Sequence, residues 1–162
     1  MNLSYHWRRW ADLRPDELYA FLKLRSDIFV VEQNCVFSDM DGIDPQCEHL
    51  LGIDADNIVR AYLRIVPPGV QRPHSPSPPA PGPAIGRVVV AVEARGNGTG
   101  RRLMLQALSW CGARYAGQPV SLSGQQHLEA FYASLGFVTH SAPYLEDGIW
   151  HVDMQRPGIL AA

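Results

Sequence analysis

A glycine-rich turn between an apolar strand and an amphipathic helix constrains this chain more than any other feature. Residues 88–92 read Val-Val-Val-Ala-Val, a run typical of a strand that is covered on both faces. Apolar side chains then return at the spacing of one helix face, at Leu103, Met104, Ala107, Leu108 and Cys111. Between the two segments lie Gly96, Gly98 and Gly100. The sequence therefore predicts a strand, a tight turn and a helix in succession.

The turn has the chemistry of a phosphate-binding site. Glycine allows positive φ angles and lets a ligand approach the backbone closely. The free N–H groups of the first helical turn point outward, and the helix dipole favours an anion there. Arg101 and Arg102 add positive charge at the same place. The pattern predicts a cradle for a phosphorylated ligand, and the alternative is a tight connection that binds nothing.

Two common phosphate-binding motifs fit this turn poorly. A P-loop requires Lys followed by Ser or Thr after its last glycine, and Arg101 and Arg102 stand there instead. A dinucleotide fold requires Gly-x-Gly-x-x-Gly and an acidic residue about 20 positions later. This chain has Gly-x-Gly-x-Gly and carries no Asp or Glu between Trp110 and Glu129. The sequence disfavours a nucleoside triphosphatase and leaves a dinucleotide-binding domain as a weaker hypothesis.

A third pattern, Arg/Gln-x-x-Gly-x-Gly, matches the turn at residues 95–100. It resembles the pyrophosphate loop of the GNAT acetyltransferase superfamily, whose members bind acetyl-coenzyme A. A second block supports the resemblance, because GNAT enzymes commonly carry Ala-x-x-Phe-Tyr-x-x-x-Gly-Phe at the corresponding place. Here the chain has Ala130-Phe131-Tyr132 followed by Leu135-Gly136-Phe137. The order and separation of the two blocks also match.

The resemblance extends over nearly the whole chain, from Leu3 to Met154, and is weakest across the proline-rich residues 67–83. Within the superfamily the chain looks like the ElaA-type subgroup. The features that carry this likeness are residues 24–35, Asp39, Asp41, Gly42, residues 49–52 and the closing Glu146-Asp147-Gly148-Ile149-x-His151.

The resemblance implies an α/β fold of the mixed α+β kind. A central mixed, mostly antiparallel sheet of about six to seven strands is expected, flanked by helices. The residue patterns agree with this, because strand and helix patterns follow one another along the chain. Residues 48–54 and 59–66 read as a pair of strands. Residues 125–137 read as a helix that ends on Gly136.

Length and composition indicate one domain with a core of its own, since 46% of the residues are hydrophobic. We expect a single GNAT domain at 1–157, a proline-rich surface loop at 67–83 and a tail at 158–162. The net charge of −2 offers no electrostatic basis for binding nucleic acid. No leader and no apolar run of membrane-spanning length is seen, so we expect a cytoplasmic protein. Three cysteines without Cys-x-x-Cys spacing argue against a zinc site, and no metal is expected.

Acetyl-coenzyme A is the co-substrate that the resemblance implies. In the family, backbone N–H groups at the end of the strand polarise the thioester carbonyl, which corresponds to residues 90–92 here. Donors aimed at developing oxyanion charge are usually the largest catalytic term. The cofactor-binding residues expected from the resemblance are Val88, Val89, Val90, Arg95, Gly96, Asn97, Gly98, Thr99, Gly100, Arg101 and Tyr132.

Proton transfer needs an acid for the departing thiolate and a base for the amine. The resemblance makes Tyr132 the acid, whereas its place on an apolar stripe also fits a core tyrosine. Four side chains stay open as the base, namely Glu32, Glu48, His49 and His151. The acidic segment reads either as an attraction for a cationic amine or as a solvated loop, and it contains Asp39, Asp41, Asp44 and Glu48.

The leading hypothesis is an N-acetyltransferase that moves the acetyl group of acetyl-coenzyme A to a primary amine. The acceptor would be a small molecule or a peptide, attacking directly in a ternary complex because no cysteine reads as catalytic. The alternative is a non-catalytic coenzyme A-binding sensor or partner-binding module. A homodimer is an expectation from the resemblance alone.

Overall fold

The described part of the protein contains eight strands and three α-helices. The structure is a computed structural model and describes residues 1–73 and 75–159. The strands are β1 (Ser4–Arg9), β2 (Glu48–Ile53), β3 (Val59–Val66), β4 (Ala84–Val90), β5 (Val120–Gln125), β6 (Val138–Thr139), β7 (Tyr144–Glu146) and β8 (Ile149–Arg156). The helices are α1 (Pro15–Arg25), α2 (Thr99–Arg114) and α3 (Glu129–Ala133), and a π-helical segment at Ser26–Glu32 continues α1.

All eight strands belong to one sheet in the order β1-β2-β3-β4-β5-β8-β6, with β7 paired to β8 beside this path. Neighbouring strands are antiparallel except β4 and β5, which are parallel. The predicted α/β class with a mostly antiparallel sheet is confirmed. The structure has one strand more than the upper end of the expected six to seven. The additional strand is β7, which precedes the turn into β8 and pairs with Ile149 to His151 of that strand.

The predicted helix at 125–137 is shorter than its sequence pattern. Gln125 still pairs with His151 of β8, so it belongs to the sheet. A 3-10 turn follows before α3 begins at Glu129. Gly136 then takes a φ of +92°, the left-handed conformation that commonly follows a helix end.

Successive side chains of β2 and β3 point to opposite faces of the sheet, so these strands contribute to two hydrophobic cores, one on each face. Leu50 and Leu63 belong to the core under α2 and α3, whereas their neighbours Leu51 and Tyr62 pack against α1. The stripe of α2 lies in the first core as its spacing predicted, with Leu103, Met104, Ala107, Leu108 and Cys111. Burial on both faces explains why apolar residues stand next to each other in these strands, as Leu50 and Leu51 do.

Two segments lie outside the sheet and helices. Residues 67–83, called the proline strap below, connect β3 to β4 and form no helix or strand where they are described. Near the C-terminus, the Ile159 carbonyl accepts a hydrogen bond from the Gly117 N–H at 3.0 Å. The tail predicted at 158–162 thus starts in contact with the domain, and 160–162 lie outside the described residues. In the described ranges no helix is long and apolar enough to cross a membrane.

Candidate active site

The candidate site originates where β4 and β5 separate. These two parallel strands pair only at Ala84–Ser121 and Ile85–Leu122. Beyond that point β4 continues to Val90 beside β3, and β5 continues beside β8. One edge of β4 therefore has no neighbouring strand among the described residues, which leaves an open edge in the middle of the sheet.

A β-bulge in β4 accompanies the separation. Tyr62 pairs with Val89 and Arg64 pairs with Gly86, so β4 carries one residue more than β3 in this interval. Arg87 lies in the bulge with a φ of +53°, in the left-handed region that few residues other than glycine adopt. Such a conformation costs about 1–3 kcal/mol and persists only where its surroundings enforce it.

Those surroundings are a buried arginine–aspartate network, which consists of Arg25, Arg64, Arg87, Asp39, Asp41 and Asp44. The Nε of Arg87 lies 2.9 Å from Asp39 Oδ1, and its Nη2 donates to the Asp39 carbonyl at 3.1 Å. Asp44 Oδ1 accepts hydrogen bonds at 2.8 Å from both Arg25 and Arg64. The network ties residues 39–44 to β4 and so holds the bulge in place.

The network corrects one reading of the acidic segment. Burial alone would raise the pKa of Asp41, but the hydrogen bonds and charge of Arg64 hold that pKa at about 2. Asp39 and Asp44 are also buried and ion-paired with arginines. These carboxylates are compensated within the protein, so they form neither the open acidic patch that would attract a cationic amine nor a run of solvated side chains.

The gap between β4 and β5 opens into a cavity of about 1240 Å³. Ser121, Ser123 and Gln125 alternate along β5 with residues buried in the core. Their partners on β8 are Gln155, Asp153 and His151, so these six side chains share one polar face of the sheet. The glycine turn, α3 and the proline strap supply the remaining walls. Every predicted cofactor-binding residue except Asn97 lines this cavity.

The glycine turn has the geometry of an anion site. Gly96 and Gly98 have φ angles of +84° and +79°, the left-handed conformation that glycine adopts without strain. A Cβ on Gly96 would meet no atom within 4 Å, so the space beside the turn is open. Gly98 is the N-cap of α2, and no side chain caps this 16-residue helix. The first N–H groups of α2 are therefore available to phosphate oxygens.

Asn97 and Arg101 have local partners in the glycine turn. The Asn97 carbonyl accepts from Arg102 Nη1 at 2.9 Å, and its side-chain oxygen accepts from the Thr99 hydroxyl. Asn97 therefore shapes the turn without lining the cavity. Arg101 is exposed and donates to the Ser134 hydroxyl at 3.1 Å, which leaves its guanidinium at the rim.

Arg95 connects the glycine turn to the π-helical segment. Its Nη1 and Nη2 donate to the two carboxylate oxygens of Glu32 at 2.8 and 3.1 Å, and its Nε donates to the Val90 carbonyl at 3.0 Å. The hydrogen bonds from Arg95 hold the pKa of Glu32 below its usual range. Glu32 lines the cavity, but its carboxylate is engaged by the arginine of the turn.

The ring of Tyr132 extends from α3 across β5 and lines the cavity. Burial raises the pKa of Tyr132 to about 12, with no hydrogen bond from the described residues contributing, so the hydroxyl stays protonated at neutral pH. The ring fits because residue 124 is glycine. No role for Gly124 was predicted from the sequence, although an isolated glycine within a strand pattern signals close approach of another group.

His151 lines the cavity, and a backbone carbonyl fixes the tautomer of its neutral ring. Its Nδ1 lies 2.7 Å from the Ile149 carbonyl, and because a carbonyl only accepts, Nδ1 carries the proton of the neutral ring. Nε2 then holds the free lone pair, 3.7 Å from Glu146 Oε2. The Tyr144 ring stacks on the imidazole with a centroid distance of 6.1 Å.

The structure does not bring the other two base candidates to the cavity. The Glu48 carboxylate accepts a hydrogen bond from Trp110 Nε1 at 2.7 Å, which fastens β2 to α2. His49 is fully buried, donating from Nε2 to the Asp44 carbonyl at 2.9 Å and accepting from the Tyr62 hydroxyl at 2.7 Å. Burial lowers the pKa of His49 to about 4. Both side chains are committed to contacts inside the protein.

An acyl thioester of coenzyme A carries a pyrophosphate and an extended arm with amide groups. The uncapped start of α2 suits the pyrophosphate, and the open edge of β4 suits the extended arm with its amide groups. The fold and the site thus define an acyl-CoA-dependent N-acyltransferase. Residues 77–157 match the family model described as an acetyltransferase (GNAT) domain, and the chain belongs to the GNAT family.

Individual relatives agree with this assignment. Protein ElaA of Escherichia coli (strain K12) is 40% identical over 159 residues, covering 94% of this chain and 98% of ElaA. The crystal structure of an acyl-CoA N-acyltransferase from Pseudomonas aeruginosa matches with a TM-score of 0.84 and 40% identity, over 96% of this chain and 99% of that chain. The crystal structure of E. coli ElaA matches with a TM-score of 0.81 and 36% identity, over 95% and 99%. The predicted ElaA-like membership is confirmed.

Proposed function

We propose that this enzyme transfers the acetyl group of acetyl-coenzyme A directly to a primary amine of a small molecule or peptide. One observation carries the proposal. Tyr132 and His151 line the same cavity as the glycine turn and the open edge of β4, which supports roles for them as acid and base beside a bound cofactor. Family membership supports the broader statement that the enzyme uses an acyl-CoA donor.

The backbone of β4 suggests which group would polarise the thioester. Bound acetyl-coenzyme A supplies an activated carbonyl carbon. The Ala91 N–H donates to the Arg60 carbonyl of β3 at 2.7 Å, which commits one of the three N–H groups expected at residues 90–92. Adjacent residues of a strand direct their backbone groups to opposite edges, so the Val90 N–H faces the gap. Val90 is therefore our candidate for the donor to the developing oxyanion.

His151 is the side chain best suited to deprotonate the amine. When the ring is neutral, Nδ1 donates to the Ile149 carbonyl, which leaves the lone pair on Nε2. Glu32 is engaged by Arg95, and neither Glu48 nor His49 lines the cavity. His151 Nε2 would accept the proton of the attacking amine as the new C–N bond forms.

Tyr132 would donate to the sulfur as the C–S bond breaks. An ordinary thiol has a pKa of about 8.5, which lies more than three units below the pKa of about 12 that burial gives Tyr132. Complete proton transfer from the phenol to the thiolate is therefore uphill. The hydroxyl contributes chiefly as a hydrogen-bond donor while charge builds on the sulfur, and the solvent completes protonation.

The cysteines favour direct attack over an acetyl-enzyme. Burial raises the pKa of Cys47 and of Cys111 to about 12, which suppresses the reactive thiolate. Burial also raises the pKa of Cys35, whose Sγ lies 3.2 Å from the Asp147 carbonyl. None of the three has the lowered pKa of a catalytic thiol.

Calorimetric titration with acetyl-coenzyme A tests the proposal first. We expect micromolar binding, loss of binding in Gly98→Asp, and no competition by NAD. An amine screen with Tyr132→Phe as comparison then separates catalysis from sensing. An enzyme should lose rate in this variant and keep its cofactor affinity, whereas a coenzyme A sensor would turn over no amine in either form. Absence of binding at millimolar cofactor would refute the proposal.

A further inference from the structure

The proline strap is attached to the catalytic side of the sheet. Eight of its 17 residues are proline, which restricts the backbone before any contact forms. Its prolines border the cavity at Pro73, Pro76, Pro78, Pro79 and Pro81. A surface loop was expected here from the sequence, and the contacts below fasten this loop to β5 and β8.

Two side chains fasten the strap to the polar face of the sheet. Arg72 Nη2 donates to the Ser123 hydroxyl of β5 at 3.0 Å, and the Ser77 hydroxyl donates to Asp153 Oδ2 of β8 at 2.7 Å. Asp153 also accepts from Ser123 at 2.8 Å and from Tyr144 at 2.6 Å. These direct contacts leave no room for a ligand between strap and sheet at those points.

The same arginine connects the strap to the proposed base. Arg72 Nη1 lies 3.8 Å from Glu146 Oε1, and Glu146 Oε2 lies 3.7 Å from His151 Nε2. The Glu146 carboxylate thus stands between a strap residue and the imidazole. His151 is two residues from Asp153 along β8, roughly 7 Å away on the same face of the sheet.

We propose that the proline strap is one wall of the acceptor pocket and selects unbranched primary alkylamines, with Arg72 as a positioning residue that holds Glu146 beside His151. This inference rests on the proposed acetyl transfer. Because the strap is bonded to the sheet at Ser123 and Asp153, an acceptor reaches His151 along the edge of the strap. The proline rings and the Glu146 carboxylate line the same cavity as His151, and this combination suits an alkyl chain that ends in an ammonium group.

The strap can be shortened at a defined place. The Gly69 N–H donates to the Ala80 carbonyl at 3.2 Å, so these residues already lie side by side. Replacing residues 70–79 by Asn-Gly closes the chain with a two-residue turn and removes both fastening side chains. Acetyl-coenzyme A affinity, measured by calorimetry, reports whether the shortened enzyme keeps its fold and its cofactor site.

Two six-carbon probes, n-hexylamine and cyclohexylamine, test the selectivity. We expect wild-type kcat/KM to favour n-hexylamine by about tenfold or more, and the shortened enzyme to lose that preference. An equal preference in the two enzymes would overturn the proposal that the strap is a wall of the acceptor pocket. Acetyl-coenzyme A binding without acetylation of either amine overturns the alkylamine specificity and leaves the cofactor site intact. Failure to bind acetyl-coenzyme A refutes the proposed function itself.

Arg72 is tested separately with n-hexylamine. Arg72→Gln should raise the KM for the amine and lower kcat, about tenfold together in kcat/KM, with unchanged affinity for acetyl-coenzyme A. Arg72→Lys keeps the charge beside Glu146 and should recover part of the loss. Arg9→Gln is the matched control, because Arg9 pairs with Asp12 on the exposed surface. Equal losses in the Lys and Gln variants, or no loss in either, overturn the positioning role.

Discussion

The ring of Tyr132 occupies the space that a side chain at position 124 would need. A Cβ built on Gly124 would lie 2.9 Å from Tyr132 Cε2 and 3.1 Å from Cδ2. Both distances are shorter than the 3.5–4.0 Å at which carbon atoms pack favourably. β5 and α3 therefore meet through this pair, and the backbone of β5 sets where the tyrosine hydroxyl stands in the cavity.

Gly124→Ala should displace the tyrosine ring. We expect kcat to fall about tenfold, with affinity for acetyl-coenzyme A reduced much less. The added methyl group would displace the Tyr132 hydroxyl, which is the proposed hydrogen-bond donor to the sulfur. Overpacking should also lower the free energy of unfolding by about 1–3 kcal/mol. Steady-state kinetics and urea denaturation measure the two effects.

A double-mutant cycle with Tyr132→Phe is the control for this interpretation. If the alanine acts by moving the hydroxyl, it should slow the Tyr132→Phe enzyme hardly at all. Multiplicative losses in the double variant would show that Gly124 affects catalysis by another route.

Glu32→Gln should strengthen binding of acetyl-coenzyme A. Glu32 engages both Nη atoms of Arg95, and the substitution weakens this pair and takes away a negative charge beside an anionic ligand. We expect about a fivefold lower Kd for acetyl-coenzyme A. Arg95→Gln should act in the opposite direction. Unchanged Kd in both variants, by calorimetry, would mean that Arg95 is only a turn residue.

Removing one carboxylate from the arginine–aspartate network should cost far more than removing one at the surface. Asp44→Ala leaves Arg25 and Arg64 buried without their shared partner, and we expect a loss of about 3–5 kcal/mol in unfolding free energy. Asp27→Ala, which breaks an exposed pair with Lys23, should cost less than about 1 kcal/mol. Comparable losses in chemical denaturation would contradict the role given to the network.

Acid should destabilise the protein through His49. Burial lowers its pKa from 6.5 to about 4 in the folded state, so the unfolded chain binds more protons between these values. Stability from this residue is complete above about pH 6.5, falls as the pH drops towards 4, and is lost below it. The total is on the order of 3 kcal/mol.

Urea denaturation at a series of pH values measures this dependence. His49→Gln keeps hydrogen-bonding capacity and cannot titrate, so its stability should change less steeply between pH 6.5 and 4. The same slope in both proteins would assign the acid sensitivity to other groups.

The glycine turn was predictable from the sequence because the residues that define it follow one another along the chain. Three glycines, the preceding apolar run and the following helical stripe all lie within residues 85–111, and local rules connect each of them to its conformation. The same holds for the strand pair at 48–54 and 59–66, which the structure contains as β2 and β3. Short-range patterns therefore located the helix N-terminus and the strand that lead to it.

No short-range sequence pattern predicts the arginine–aspartate network. Its members come from α1, the 39–44 segment, β3 and β4, and charged residues in isolation read as solvated. Nor does any side-chain pattern predict that Arg87 adopts a positive φ. The choice among four base candidates was open for a related reason, since it depends on strand register: the pairing of Gln125 with His151 places the histidine on the cavity face.

The separation of β4 from β5 leaves few backbone hydrogen bonds at the centre of the sheet. Its two halves, β1 to β4 and β5 to β8, are joined in the ladder by only two residue pairs. An extended ligand arm lying in the gap would act as a replacement strand and connect the halves through backbone hydrogen bonds. An acyl donor bound in this way would also raise the free energy of unfolding of the domain, by an amount that depends on its concentration.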